Sequence, residues 1–210
     1  MTTAKFKLII FDWSGVISDT FDNWYTCAMA IFKQYGAPII SKKRAREEFR
    51  QPYMAFYNKF LPDLSHENQK QAYAKAIQRC DTPPIFNGMK ELLADLYQRD
   101  VRMAVISGDI QKTLLQEADR FQVRHFFKDI LWDVYHKDET VRKMIRDLQF
   151  KPDDVLFVGD STHEVEVGKK VGCKTCAVTW GYMPKEKLRS LHPDYLVDTT
   201  QELEEVIFGK

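Results

Sequence analysis

Short runs rich in β-branched and aromatic residues recur at KLIIF, VRMAVIS, KDILWDVY, DVLFVGD, KTCAVTW and DYLVD, most of them separated by stretches with helical spacing. Strands that alternate with helices are joined by right-handed crossovers, which lay the strands parallel and cover both faces of the sheet. The helical spacing is plain in NGMKELLADLYQRD, where Met89, Leu92, Leu93 and Leu96 fall at i, i+3, i+4 and i+7. KTLLQEADRF and DETVRKMIRDLQF follow the same rule. The expected fold is therefore α/β, with a doubly wound, Rossmann-like parallel sheet.

Between residues 19 and 84 the strand pattern stops, and only amphipathic segments remain: NWYTCAMAIFKQYG, SKKRAREEFRQPYMAFYNKF and ENQKQAYAKAIQRC. Gly36-Ala37-Pro38, Leu61-Pro62-Asp63 and Asp81-Thr82-Pro83-Pro84 punctuate them. Residues 19–84 thus read as a helical insert after the first strand, and residues 1–18 and 85–210 as the α/β core.

Chemistry is expected where the strands end. KLIIF runs directly into Asp12 and a Ser-Gly turn, which puts a carboxylate on a rigid mount at a strand-to-loop junction. A carboxylate there can attack phosphorus and split one hard substitution into two easier ones. Asp160 ends VLFVG and opens the helix that follows, with Gly159 giving the tight turn. Two carboxylates converging at neighbouring strand ends repel each other unless a hard cation sits between them, so Mg²⁺ is the natural partner of Asp12 and Asp160. Ser107 and Gly108 end VRMAVIS and offer a hydroxyl and main-chain N–H groups to phosphate oxygens.

In order and spacing these segments, with Lys137 in VYHKDETV, resemble the four motifs of the haloacid dehalogenase-like hydrolase superfamily. The subgroup that includes phosphoglycolate phosphatase and phosphonoacetaldehyde hydrolase is the most similar, and the tail VTWGY, PDYLVD and QELEEVI extends the resemblance nearly end to end. The resemblance implies a Mg²⁺-dependent phosphatase of a small phosphorylated metabolite, acting through an aspartyl-phosphate on Asp12. It places the metal on Asp12, the main-chain carbonyl of Ser14, Asp160 and Glu164. It makes Lys137 the charge that neutralises Asp12 and the phosphoryl oxygens, and Ser107, Gly108 and Lys137 the phosphate cradle. It also implies that the insert is a C1-type cap above the strand ends, with Arg50 or Arg46 available to an anionic substrate tail.

One departure stands out. Most phosphatases of the family read Asp-x-Asp, and this chain reads Asp12-Trp13-Ser14. The second Asp protonates the leaving oxygen and then activates water, work that a positioned acid–base group speeds by about 10²–10⁴. Ser14 has no proton to give near neutral pH. Asp19, Asp22 and Asp109 are near in sequence, and nothing in the sequence selects among them. Two alternatives stay open. One is C–P or C–halogen hydrolysis of the phosphonoacetaldehyde hydrolase or dehalogenase kind, with Lys42 and Lys43 as insert lysines. The other is a non-catalytic phosphate-binding regulatory protein.

The charges nearly cancel, 31 basic against 30 acidic, so no global field recruits nucleic acid or an anionic membrane. SKKRAREEFR, with its interleaved glutamates, reads as a solvated helix face. No apolar run approaches membrane-spanning length and MTTAKFKLII has no leader-like pattern, so a cytoplasmic location is expected. Cys27, Cys80, Cys173 and Cys176 read as reduced thiols, since the CxxC of the last two lies in a buried-strand pattern. Trp13, Trp24, Trp132 and Trp180 read as core or hinge aromatics.

Overall fold

The computed structural model describes residues 4–209. Among these, six strands form one parallel sheet: β1 (Leu8–Phe11), β2 (Arg102–Ile106), β3 (Asp129–Leu131), β4 (Val155–Gly159), β5 (Lys174–Val178) and β6 (Tyr195–Val197). Their order is β3-β2-β1-β4-β5-β6, so the chain runs outward from β1 in one direction, returns, and runs outward in the other. The crevice between β1 and β4, at their carboxyl ends, is where such sheets bind ligands. β1 is in register with β4 from Leu8 opposite Val155 to Phe11 opposite Val158, and the N–H of Asp12 continues the ladder to the Val158 carbonyl at 2.9 Å.

Side-chain alternation divides the core into two layers. Ile9, Phe11, Met103, Val105, Leu156 and Val158 face α5 (Met89–Gln98), α6 (Gln111–Phe121) and α10 (Thr200–Phe208). Leu8, Ile10, Ala104, Ile106, Val155 and Phe157 face α7 (Lys137–Asp147) and α8 (Thr162–Val171). Because both faces are covered, the strands are apolar on both sides, as a buried parallel sheet requires. Leu93 and Leu96 of α5 are fully buried; truncating either to Ala would cost about 2–5 kcal/mol through lost transfer energy and the cavity left behind.

Between β1 and α5 lie four helices: α1 (Phe21–Tyr35), α2 (Lys42–Glu48), α3 (Met54–Phe60) and α4 (His66–Ile77). The stretch SKKRAREEFRQPYMAFYNKF is two helices rather than one continuous amphipathic segment. Pro52 has no N–H to continue α2, and a proline disfavours helical geometry at the residue before it. The Gln51–Pro52 peptide is cis. Ser41 and Ser65 cap α2 and α4, each hydroxyl accepting from the N–H three residues on at 3.2 Å.

The four helices share an apolar cluster built on Phe21, Trp24, Phe32, Phe49, Phe56 and Tyr57. That cluster continues into Val165 of α8, Ala177 of β5, Tyr182, Met183, and Leu188 of α9 (Lys185–Ser190). The insert therefore leans on the β4–β5 side of the core, next to the Asp160 end of the crevice. No helix among the described residues is long and apolar enough to cross a membrane.

Candidate active site

Asp12, Asp160 and Glu164 converge at the carboxyl ends of β1 and β4. All three are buried, and one oxygen from each lies within 4.8 Å of the others. Lys137, the first residue of α7, is buried with them. Its Nζ is 2.9 Å from Asp12 Oδ1 and 2.7 Å from Glu164 Oε1. Lys137 therefore lies beside Asp12, where its charge is expected. The loop before it is stitched to the end of β2: the N–H of Ser107 donates to the Leu131 carbonyl, that of Val134 to the Ser107 carbonyl and that of Asp133 to the Asp109 carbonyl, each at 2.9 Å. Lys137 follows this loop directly and joins the acids at the ends of β1 and β4.

Glu164 sits at the third position of α8, three residues after the cap residue Ser161. The Ser161 hydroxyl accepts from the His163 N–H at 3.2 Å and donates to Glu164 Oε2 at 2.5 Å. Burial opposes ionisation of Glu164, but the Lys137 ammonium, with His163 and the bonds from Lys137 and Ser161, outweighs it and holds this carboxyl below its usual range. Lys137 is likewise held above the ordinary lysine value: burial works against its charge, and Asp12 and Glu164 more than restore it.

The other two carboxyls resist ionisation. Burial lifts Asp12 to about 7 against the pull of Lys137, with Glu164 and Asp109 adding to the rise. Asp160 is pushed well above the usual range, chiefly by burial and then by Asp12 and Glu164; the N–H of Tyr182, donating to Asp160 Oδ2 at 2.6 Å, only partly offsets this. Among the described residues, three buried carboxyl groups share a single buried ammonium, so positive charge is in deficit. The donors are hard oxygens, and a divalent cation such as Mg²⁺ is what such a set fits.

Three glycines allow the acids to sit this close. A Cβ on Gly15, which has φ +81°, would lie 2.0 Å from Asp160 Oδ2, and one on Gly181 would lie 2.2 Å from the same oxygen and 2.5 Å from the Gly15 carbonyl. On Gly159 it would meet the Glu164 side chain at 2.3 Å.

Ser14 is not isolated. Its hydroxyl donates to Asp109 Oδ2 at 2.8 Å, and the Ser107 hydroxyl donates to the same oxygen at 2.8 Å. The Asp109 N–H returns a bond to Ser107 Oγ at 3.2 Å. Of the three acids left open by the sequence, Asp109 is the one in contact with Ser14. Asp22 pairs with Lys42 at 2.7 Å on the exposed surface of the insert, and Asp19 is half-buried near Arg46.

Gly108 is exposed beside the buried Ser107. Arg50 is exposed, and its charge acts on Glu48 and Lys187. Arg46 instead reaches the core: its guanidinium lies 3.6 Å over the Phe21 ring and donates to the carbonyls of Gly181 and Tyr182, the latter at 3.3 Å. Lys42 and Lys43 are exposed.

Two residues of this site escape a motif-based reading. Tyr182 links the Asp160 carboxylate to the aromatic cluster of the insert through ring contacts with Phe21, Trp24 and Phe49. Glu117, buried on α6, accepts from Trp13 Nε1 at 2.7 Å. Ser161 carries a sequence signal of its own, because Ser-x-x-Glu at a strand-to-helix junction is a helix-start signature. The four cysteines are free thiols, with Cys27 and Cys80 facing each other at 3.7 Å.

Residues 9–178 match the model of the haloacid dehalogenase-like hydrolase family. The chain is 23% identical to a phosphoglycolate phosphatase of Vibrio parahaemolyticus, over 99% of this chain and 98% of that one. It is 22% identical to the pyrophosphatase PpaX of Oceanobacillus iheyensis, over 94% of each. A haloacid dehalogenase-like family hydrolase from Streptococcus pneumoniae superposes with a TM-score of 0.80 at 20% identity, covering 95% of this chain and 97% of that one.

Proposed function

The chain belongs to the haloacid dehalogenase-like hydrolase family, and from that premise we propose that it is a Mg²⁺-dependent phosphatase of a small phosphorylated metabolite, with Asp12 as nucleophile. The observation that carries this reading is the buried group of Asp12, Asp160 and Glu164 with Lys137 at the ends of β1 and β4. The phosphoglycolate phosphatase and pyrophosphatase relatives, at low identity, point to the same class of substrate.

Asp12 Oδ1 is held by the Trp13 N–H at 2.9 Å and by Lys137, which fixes the carboxylate while leaving its other oxygen to attack phosphorus. Asp12, Asp160 and Glu164, with the main-chain carbonyl of Ser14, would hold a Mg²⁺, which would supply the charge that keeps Asp12 ionised and neutralises a phosphoryl group. Lys137 adds a fixed positive charge on the side of α7, and Ser107 with the main chain of Gly108 lines the β2 side, where phosphoryl oxygens need donors. The four-helix insert covers the Asp160 side and is the proposed cap, which sets access and substrate choice.

The test is phosphate release from a panel of small phosphate monoesters and acyl phosphates, with and without Mg²⁺, in parallel with Asp12→Asn. Mg²⁺-dependent release that vanishes in Asp12→Asn is expected. A wild-type protein that releases no phosphate from any panel member would overturn the proposal.

A further inference from the structure

Away from the acidic site, two of the four cysteines meet at the base of the insert. Cys27 is buried in α1 and Cys80 half-buried in the turn after α4, and these two helices pack directly on each other. The sulfurs are 3.7 Å apart, in van der Waals contact, although 53 positions separate them in the chain. A disulfide holds its sulfurs at about 2.05 Å, so less than about 2 Å of movement separates this contact from a bond.

The main chain around the pair is held in place. Asn23, one turn before Cys27 on the same face of α1, donates its Nδ2 to the Asp81 carbonyl at 2.6 Å. Cys80 Sγ lies 3.9 Å from the carbonyls of Asn23 and Ala76. Just beyond, the two links between insert and core pair with each other: the N–H of Asp19 donates to the Pro84 carbonyl at 2.9 Å, and that of Phe86 to the Ile17 carbonyl at 3.0 Å. The other two cysteines, close in sequence, show the contrast. Cys173 packs in the layer of Leu8 and Ile10 and Cys176 in that of Leu156 and Val158, so the sheet keeps them apart.

We propose that Cys27 and Cys80 are an oxidisable dithiol, which a hydroperoxide converts into a disulfide that fastens the two ends of the insert together. Cys80 is the sulfur an oxidant reaches, because it is the less buried of the two. Burial and the neighbouring Cys80 push the Cys27 thiol up, which suits Cys27 to the second, resolving step. With hydrogen peroxide, the Cys80 sulfur bonds to one oxygen and the O–O bond breaks; the departing oxygen takes the Cys80 proton and leaves as water. The Cys27 sulfur then bonds to the Cys80 sulfur and displaces the hydroxyl group, which takes the Cys27 proton and leaves as a second water. The two thiols lose two electrons and the peroxide gains them. The new bond closes residues 27–80 into a ring and leaves Asp12, Asp160 and Glu164 untouched. A cross-link over so long a loop stabilises chiefly by restricting the unfolded chain.

The experiment treats the reduced, folded protein with hydrogen peroxide, blocks the remaining thiols with iodoacetamide and maps the peptides by mass. Expected is one cross-linked pair, the Cys27 peptide joined to the Cys80 peptide and lighter by two hydrogens, which dithiothreitol separates. Cys173 and Cys176 should remain thiols. In Cys27→Ala the reaction should stop at a Cys80 sulfenic acid that dimedone captures, and in Cys80→Ser Cys27 should stay reduced. Oxidised wild type should melt about 5 °C above the reduced protein, a gain absent from Cys80→Ser treated in the same way.

Three results would overturn the proposal. Wild-type Cys80 could pass to the sulfinic acid without joining Cys27. Both thiols could remain open to iodoacetamide in the unfolded, peroxide-treated protein. A Cys27–Cys80 bond that forms without raising the melting temperature would show that it fastens nothing. Each of these readouts is independent of phosphatase activity.

Discussion

The indole N–H of Trp13 donates to Glu117 at 2.7 Å, so the residue beside Asp12 is anchored to a buried carboxyl of α6. Burial pushes Glu117 up to about 7, despite the Trp13 bond. In the unfolded chain this carboxyl ionises near its ordinary value, several units lower. Between the two the unfolded state holds fewer protons, so this group's contribution to stability is present in acid and lost as pH rises toward about 7. Glu117→Gln keeps an acceptor for the indole and removes the charge. Thermal melts should show the substitution gaining on wild type between about pH 5 and about pH 8. Parallel curves would speak against it.

Asp12 and Asp160 shift in the same direction, and here a cation reverses the sign. With Mg²⁺ bound, both carboxylates are stabilised ionised, so added Mg²⁺ should raise the melting temperature more at about pH 8 than at about pH 5. Asp160→Asn should abolish most of the increment. Melting temperatures that ignore Mg²⁺ at both values would contradict the metal assignment.

Lys137 is the one ammonium among three buried carboxyls. Lys137→Met should destabilise the metal-free protein by roughly 3 kcal/mol, since breaking a buried ion pair leaves its acidic partners uncompensated. Denaturant titration measures this. A cost below about 1 kcal/mol, the scale of an exposed pair, would mean that the pair is not buried in solution.

Gly181→Ala would push a methyl group onto Asp160 and against the Gly15 carbonyl. One of these contacts is with main chain, so relief requires moving a loop, at about 1–3 kcal/mol. Calorimetric Mg²⁺ titration should show weaker binding than in wild type, because Asp160 is the group displaced. Unchanged affinity and stability would show that the loop yields freely.

Arg46 ties the insert to the core. Arg46→Ala removes its stacking on Phe21 and its bonds to the carbonyls of Gly181 and Tyr182. Hydrogen exchange should quicken at residues 181–183 and in α1, while β1 and β4 stay protected. Uniform exchange across the chain would instead indicate global destabilisation.

Most of the sheet was legible in the sequence, because each strand is an apolar run ending at a turn residue and each covering helix repeats its apolar positions at helical spacing. Asp12, Asp160, Glu164 and Lys137 were legible as candidates, and the structure brings them together. The break between α2 and α3 was harder: the apolar pattern runs across it, and only Pro52 marks it. Asp109 could not be separated from Asp19 and Asp22 because its meeting with Ser14 depends on β2 lying beside β1, and strand order is a property of the whole sheet. The same holds for Tyr182, whose N–H reaches Asp160 only because β5 lies beside β4. Arg46 and Arg50 look alike in sequence, four residues apart on a charged stretch. They differ because α2 ends between them, leaving Arg46 turned toward the core and Arg50 exposed.

Tyr182 gives its N–H to Asp160 and its ring to Phe21, Trp24 and Phe49. The helical insert is contiguous in sequence, which makes it look like a module that recombination could swap between proteins of this architecture. Its packing partner, however, is encoded more than a hundred residues downstream, in the same few residues that seat an acid of the site. A chimera that exchanges residues 19–84 alone would set a foreign aromatic surface against Tyr182 and strain the main chain that holds Asp160. The packing unit is therefore split, one part in the insert and the other in the loop after β5, and a graft that keeps Asp160 seated has to carry both.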